Sequence, residues 1–119
     1  MLQLKTNGDI KLSVTTGKKE KSYVQDKVPM KKALEYSEGE IELFKKALEE
    51  GRQGPTENEL LSYRIEFLAN LFDAEEVTKD LLLEELDTNE FPVLFSIINQ
   101  RVLGNTPAEE KSEQQDPKE

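Results

Sequence analysis

The apolar residues of this chain change their spacing once, and that change limits the folds open to it. In the first 28 residues they alternate with polar residues, whereas from Pro29 onward they recur at steps of three and four. Alternation is the period of a half-buried strand, and the longer step is that of an amphipathic helix. The pattern therefore predicts an α+β fold: an N-terminal antiparallel β-hairpin or small sheet over residues 1–28, and a bundle of about four helices over 29–104 that forms one domain with it.

The first two strands are predicted to form a hairpin with a three-residue loop. Apolar residues alternate with polar ones on both sides of an Asn-Gly pair. A two-residue loop would place the two apolar sets on opposite faces, because it shifts the register by one residue. With residues 6–8 as the loop, the apolar side chains share one face and pair as Leu2 with Leu12 and Leu4 with Ile10. The glycine of the Asn-Gly pair then occupies the left-handed position that such a loop needs.

A third strand is expected over residues 20–25, after a turn at residues 16–18. Its apolar content is limited to Tyr23 and Val24. Its lysines suit an edge strand, because charge at an edge discourages pairing with another chain.

Capping residues and glycines indicate where the helices begin and end. Pro29 suits the first turn of a helix, and Gly51 suits its end. Between them, Ser37 and Glu40 form a capping-box pattern that either restarts or continues the helix. One side of this helix carries large apolar residues, namely Ile41, Phe44 and Leu48.

Further patterns mark later helix starts: a capping box at Thr56 and Glu59, the stretch 73–76, Thr78, and Asp87 or Asn89. The helix that Thr56 opens has so wide an apolar surface that we expect it to be the central core helix. The last helix is expected to end at Gly104. Residues 105–119 are predicted to be a disordered tail, because beyond Pro107 they offer almost nothing apolar to offset the entropy of ordering.

Charge is distributed unevenly along the chain. Residues 1–32 hold eight Lys and three acidic residues, a net charge of 8 − 3 = +5, whereas residues 33–107 hold six basic and seventeen acidic residues, a net charge of 6 − 17 = −11. This asymmetry either marks solvated faces, orients contacts between copies in a homo-oligomer, or steers a basic partner toward the helices. Nucleic-acid binding is not expected, since aromatic residues do not interleave with the lysine cluster and the overall charge is −9.

Several chemistries are excluded by composition. The chain has no Cys and no His, so thiolate zinc sites, cysteine catalysis and histidine acid-base catalysis are absent. The spacing of Asp87 and Asn89 is that of a calcium-loop start, but Pro92 stands where such a loop requires Gly. We therefore predict no enzyme activity, no metal and no cofactor. The chain also lacks an apolar run long enough for a membrane span and an N-terminal secretory pattern, which predicts the cytoplasm.

The order of several short segments resembles the tail assembly chaperones of long-tailed, siphovirus-type phages or prophages of Gram-positive bacteria. The resemblance covers roughly residues 2–104 and rests on these segments: Asn7-Gly8, Val28-Pro29-Met30-Lys31-Lys32-Ala33, Leu71-Phe72, Val77-Thr78-x-Asp80-Leu81-Leu82, and Ile97-Ile98-Asn99. Val77 departs from the family, in which an aromatic residue precedes the Thr.

The resemblance implies binding to the tape measure protein and recruitment of tail tube protein subunits, in the cytoplasm of the bacterial host and without incorporation into the virion. A chaperone of this kind shields apolar, coiled-coil-prone helices, for which exposed Leu and Phe side chains are suited. As partner-binding residues we single out five side chains on the apolar faces of the predicted helices: Leu68, Phe72, Phe91, Phe95 and Ile98.

The family also implies a second, longer product made by a programmed ribosomal frameshift. Residues 116–118 can be encoded by a slippery heptamer, so we expect such a run near codons 105–118 together with an overlapping downstream frame.

Two other functions are compatible with the composition. An acidic adaptor or inhibitor that imitates nucleic acid and acts on a host protein would carry one continuous acidic face. A small hydrolase would need a pocket with perturbed titratable groups.

Overall fold

A three-stranded antiparallel sheet and four α-helices make up residues 1–105, the part of the chain that the structure, a computed structural model, describes. In chain order the elements are β1 (Leu2–Leu4), β2 (Ile10–Thr16), β3 (Lys19–Gln25), α1 (Lys31–Glu49), α2 (Glu57–Leu71), α3 (Lys79–Glu85), a 3₁₀ turn (Thr88–Glu90), α4 (Phe91–Ser96) and a π-helix (Ile97–Val102). The predicted α+β class is confirmed. The predicted tail lies outside the described residues apart from Asn105, whose amide donates to the carbonyl of Asn99.

The sheet has the predicted register. Its order is β1-β2-β3, and Leu2 pairs with Leu12 while Leu4 pairs with Ile10. Gly8 has φ +97°, as the third residue of the three-residue loop requires. The second hairpin has a two-residue loop that starts with Gly17, and β3 begins one residue earlier than expected, at Lys19.

The core lies between the inner face of the sheet and the helices. Alternate residues of β1 and β2 are buried there, and they pack with apolar side chains of α2, α3, α4 and the π-helix. Its largest fully buried side chains are Ile10, Leu12, Leu68, Leu82 and Ile97. Since α2 supplies four buried residues, it is the central core helix that its wide apolar surface predicts.

Three of the predicted caps are present. Thr56 Oγ1 accepts from Glu59 N at 3.1 Å and Glu59 Oε1 accepts from Thr56 N at 2.8 Å, which completes a capping box. Thr78 caps α3 through Leu81 N at 3.1 Å. Asp87, rather than Asn89, begins the last helical segment, and its own N–H donates to Glu90 Oε2 at 3.0 Å.

Two other sequence patterns do not start a helix. The stretch 73–76 is expected to open one but forms an isolated turn, in which the N–H of Val77 donates to the carbonyl of Ala74 at 3.1 Å. Burial of the Val77 side chain draws the chain inward there, and the helix starts only at Thr78. Ser37 lies inside α1, which continues past it without a break.

The connector between α1 and α2 is held by one arginine. Arg52 bonds to Glu50 at 2.6 Å and to Glu59 at 3.0 Å, so it joins the end of α1 to the first turn of α2. Hydrogen bonds from the Thr56 backbone and from Arg52 lower the pKa of the Glu59 carboxyl.

The final helical segment changes pitch after Ser96. Residues 97–102 form a π-helix, and the N–H of Leu103 donates to the carbonyl of Ile98, five residues back. From this segment Arg101 donates to the carbonyl oxygens of Gly8 and Asp26, which lie at a turn of the sheet and just after β3. Near the start of α4, Glu90 accepts from the N–H of Leu2. The segment is thus fastened to the sheet at both ends.

Aromatic packing on one side attaches α1 to the rest of the domain. Tyr36 is 3% exposed, and its ring centre lies 5.2 Å from that of Tyr63 and 5.0 Å from that of Phe67. The Tyr63 hydroxyl donates to the carbonyl oxygen of Tyr36 at 2.6 Å. This close approach requires Gly39, because a Cβ there would lie 2.2 Å from the Tyr63 hydroxyl oxygen.

We predict that Gly39→Ala destabilises the protein although alanine favours helices. Inside an exposed helix the change would stabilise by about 0.5–1 kcal/mol. Here the overpacking of the new methyl group against Tyr63 outweighs that gain. We therefore expect the free energy of unfolding, measured by urea denaturation, to fall by about 1–3 kcal/mol.

The matched control is the same substitution in a Tyr63→Ala background, where the space is open and Gly39→Ala should be neutral or stabilising. A stabilising effect of Gly39→Ala in the unaltered protein would contradict the predicted contact.

Candidate partner-binding surfaces

The most exposed apolar surface is a row of large side chains along α1, which we call the outer stripe. It consists of Met30, Leu34, Ile41, Phe44 and Leu48, which are 93%, 68%, 57%, 45% and 62% exposed. At side-chain areas of about 200 Å² each, these fractions amount to on the order of 600 Å² of apolar surface. That lies at the upper end for the largest patch of a monomer, so the outer stripe is a candidate binding surface.

The outer stripe is exposed because α1 packs through a different side. Tyr36 and Ala47, the buried residues of α1, lie about a third of a turn around the helix from the stripe. Gly54 of the connector lies against the Phe44 ring. The other four members of the stripe are more than half exposed.

A second surface is a groove between α1, α2 and the last helical segment, which we call the Phe95 groove. It has a volume of about 390 Å³ and is lined by Tyr36, Glu40, Arg64, Phe95, Ile98, Asn99 and Leu103. The Arg64 guanidinium lies 5.5 Å from the centre of the Phe95 ring, and its Nε donates to the Tyr36 hydroxyl at 3.3 Å. Phe95 and Leu103 are each 43% exposed, so the groove presents apolar surface beside fixed polar groups.

A third feature is an apolar cavity of about 180 Å³ beneath α3 and α4. It is lined mainly by leucines together with Ile65 and Phe91, and its acidic residues are Asp87 and Glu90. Both carboxylates already accept backbone N–H groups as helix caps. The cavity suits an apolar side chain and offers no pair of free titratable groups for catalysis.

One aromatic pair joins the cavity to the groove. The rings of Phe91 and Phe95 stack at 6.0 Å with an interplanar angle of 14°. Phe91 lines the cavity and Phe95 lines the groove. The two depressions therefore meet at a single stack on α4.

The structure distributes the five predicted partner-binding residues over these features. Leu68 and Phe91 line the cavity, Phe95 and Ile98 line the groove, and Phe72 is buried in the core. Leu68, Phe72 and Ile98 are 0%, 6% and 5% exposed, so in this conformation an outside partner meets chiefly Phe95 and the half-buried Phe91. Their role in binding stays a prediction.

Sequence reasoning missed the outer stripe as a site. The spacing of Ile41, Phe44 and Leu48 is plain in the sequence, but an apolar helix face is ordinarily a core face. The available clue is the presence of Met30 and Leu34 on the same face, which extends the row along the whole helix.

Two tyrosines at or near the Phe95 groove are affected by their burial. Burial raises the pKa of Tyr63 to about 12, and burial also raises the pKa of Tyr36. Within residues 1–105, no three potential ligand side chains come together as a metal site. In the same part of the chain, no helix combines the length and the apolar character that a membrane crossing requires.

Comparison with known protein families gives a match over nearly the whole chain. A family model described as "Phage tail chaperone protein" matches residues 2–119. No curated protein and no solved structure is significantly similar to the chain.

We predict that Tyr63 makes the domain sensitive to alkali. Below pH about 10, the ordinary pKa of tyrosine, the hydroxyl is protonated in both the folded and the unfolded state. Between pH 10 and the folded-state pKa of about 12 it ionises only in the unfolded state, so stability falls as pH rises. Urea midpoints measured from pH 9 to 12 should therefore fall less steeply for Tyr63→Phe than for the unaltered protein.

The control is Val24→Ala, a substitution at a 56% exposed position that removes no titratable group. It should leave the alkaline slope unchanged. Equal slopes for Tyr63→Phe and the unaltered protein would show that Tyr63 does not cause the alkaline loss of stability.

Proposed function

The chain belongs to the phage tail chaperone protein family, and from that membership we propose that it binds the tape measure protein and helps recruit tail tube subunits during tail assembly. The single observation that best supports this role is the stacked Phe91–Phe95 pair, which joins an apolar cavity to an apolar groove. A binding protein for helical clients needs such a concave apolar surface.

The contact we propose is a client helix lying in the Phe95 groove. Its apolar side chains would pack on Phe95 and Leu103, and one of them would reach Phe91 at the mouth of the cavity. Arg64 and Glu40 lie in the same groove and would orient polar groups of the client. Leu68 and Ile98 would support this surface from beneath, and Phe72 would contribute indirectly, by packing in the core that holds the helices in place.

The mechanism we propose is binding without catalysis. Covering apolar surface of the tape measure protein lowers its tendency to aggregate, and release follows when tube subunits replace the chaperone. Non-covalent contacts of moderate size suit this exchange, because a displaced partner has to dissociate.

The two alternative functions find less support. An imitator of nucleic acid needs a continuous acidic face, whereas Lys45 and Lys46 interrupt the acidic residues of α1. A hydrolase needs converging titratable groups, and the carboxylates that line the cavity are engaged as helix caps.

We also propose where the protein acts and that its gene yields a second product. The protein would act in the cytoplasm of the bacterial host and be absent from the finished virion of a siphovirus-type phage or prophage. A frameshift near codons 105–118 would add a longer product. The sequence of the gene tests this last point directly, since it requires a slippery run and an overlapping frame.

Coexpression with the tape measure protein of the same phage or prophage is the decisive measurement. We expect soluble co-purification with the unaltered chain. Because Phe95 is exposed and lies beside Arg64, Phe95→Asp should fold normally yet weaken the complex about tenfold or more, as loss of a central aromatic contact does.

Val24→Asp is the matched control, since Val24 is 56% exposed on β3 and shares no contact with the groove. It should leave binding unchanged. A tape measure protein that stays insoluble with the unaltered chain would overturn the function, whereas full binding by Phe95→Asp would overturn only the location of the site.

A further inference from the structure

The outer stripe has the spacing of a coiled-coil seam. Its members and Ser37 occupy positions 30, 34, 37, 41, 44 and 48, which are separated by alternating steps of four and three. This is the a/d pattern of a heptad repeat, whose period of 3.5 keeps the seam on one side of a helix. All six positions are exposed, and apart from the Phe44 ring, against which Gly54 lies, the seam faces solvent within residues 1–105.

The size of the stripe suits one helical partner. Its 18 residue steps span about 27 Å along the helix axis. Its apolar area of on the order of 600 Å², together with the flanking residues, approaches the roughly 800 Å² that each partner contributes to a standard protein interface. A single helix of two to three heptads would cover it.

The charges directly beside the seam run basic, acidic and basic, at Lys31, Glu38 and Lys45, and the exposed Glu49 and Glu50 follow at the end of α1. Lys31 and Lys32 lie near its beginning, and Lys45 and Lys46 lie near its end. The exposed acidic residues between them are Glu35, Glu38 and Glu42. Two of these carboxylates also bond within α1, to Lys32 at 3.4 Å and to Lys45 at 3.9 Å.

This order of charges disfavours pairing of the seam with a second copy of the chain. In an antiparallel pair, Lys31 would flank Lys45 of the other copy, and Glu38 would flank Glu38 of the other copy. In a parallel pair the one attractive flanking contact joins Glu40 to Lys45 of the other copy, but Glu40 interacts with the hydroxyl of Tyr36. The net charge of −9 per chain adds to the repulsion.

We propose that the outer stripe docks an amphipathic helix of a different protein, with basic residues at the middle of its seam and acidic residues at both ends. Lys31, Glu38 and Lys45, which lie directly beside the seam, then each meet an opposite charge, in either orientation of the docked helix. This site shares no residue with the Phe95 groove, so the chain holds two partners, or two segments of one partner, at once.

Two synthetic helical peptides test the proposal. Both have three heptads with Leu at the seam and the same composition, but one has Lys in the middle and Glu at the ends while the other has the reverse. Fluorescence anisotropy with the full chain should give a dissociation constant at least tenfold lower for the first peptide at low salt, and a smaller difference at 1 M salt.

Variants of exposed residues locate the site. Ile41→Asp should abolish binding of the first peptide, and Glu38→Lys should reduce the preference between the two peptides without removing the apolar contact. Val24→Asp, which lies outside both the stripe and the groove, should bind like the unaltered protein. Circular dichroism of each variant checks that the helices are retained.

Equal affinity for both peptides, or unchanged binding by Ile41→Asp, would overturn the proposal. So would a dimer in sedimentation experiments that disappears on Ile41→Asp, since the stripe would then belong to a second copy. Because the peptides contain no segment of the tape measure protein, these results are independent of the coexpression experiment.

Discussion

The packing of Tyr36 on Tyr63 and Phe67 determines what the rest of the molecule can present. These three rings attach a 19-residue helix through one side, and Gly39 lets the Tyr63 hydroxyl reach the helix backbone. Because the attachment lies about a third of a turn from the apolar stripe, large side chains that would ordinarily enter a core face solvent. The Tyr36 ring also lines the Phe95 groove, so both candidate surfaces depend on this contact.

The two surfaces differ in shape and therefore in the partners they suit. The groove and cavity are concave, so they accept individual side chains and can discriminate by size. The stripe is a convex ridge that matches any helix with the right repeat, and charge has to supply its selectivity. A small protein that organises larger ones benefits from both properties, because a selective contact fixes one partner while a permissive contact tolerates sequence variation along another.

Local rules sufficed for the sheet and most helix boundaries. The hairpin register followed from placing Leu2, Leu4, Ile10 and Leu12 on one face, and the Thr56 and Thr78 caps followed from their spacing. The predicted helix start at residues 73–76 is wrong because burial of Val77, a tertiary effect, competes with capping. Of the predicted site residues, four line the cavity or the groove, but periodicity could not reveal which faces stay uncovered. The hydrogen bonds from Arg101 to the sheet join residues that lie far apart in sequence, so no local pattern could predict them.

The π-helix at residues 97–102 is a place where the last helical segment can change its length. A π turn holds about one residue more than an α turn, so removing one residue here would restore ordinary α pitch. Side chains on either side of the turn would keep nearly the same directions, because the lost residue is the extra one that the turn holds. Arg101 could then still reach Gly8 and Asp26 while Ile97 and Ile98 stay in the core. Homologous chains should therefore differ by one residue at this turn more readily than elsewhere in the last helical segment.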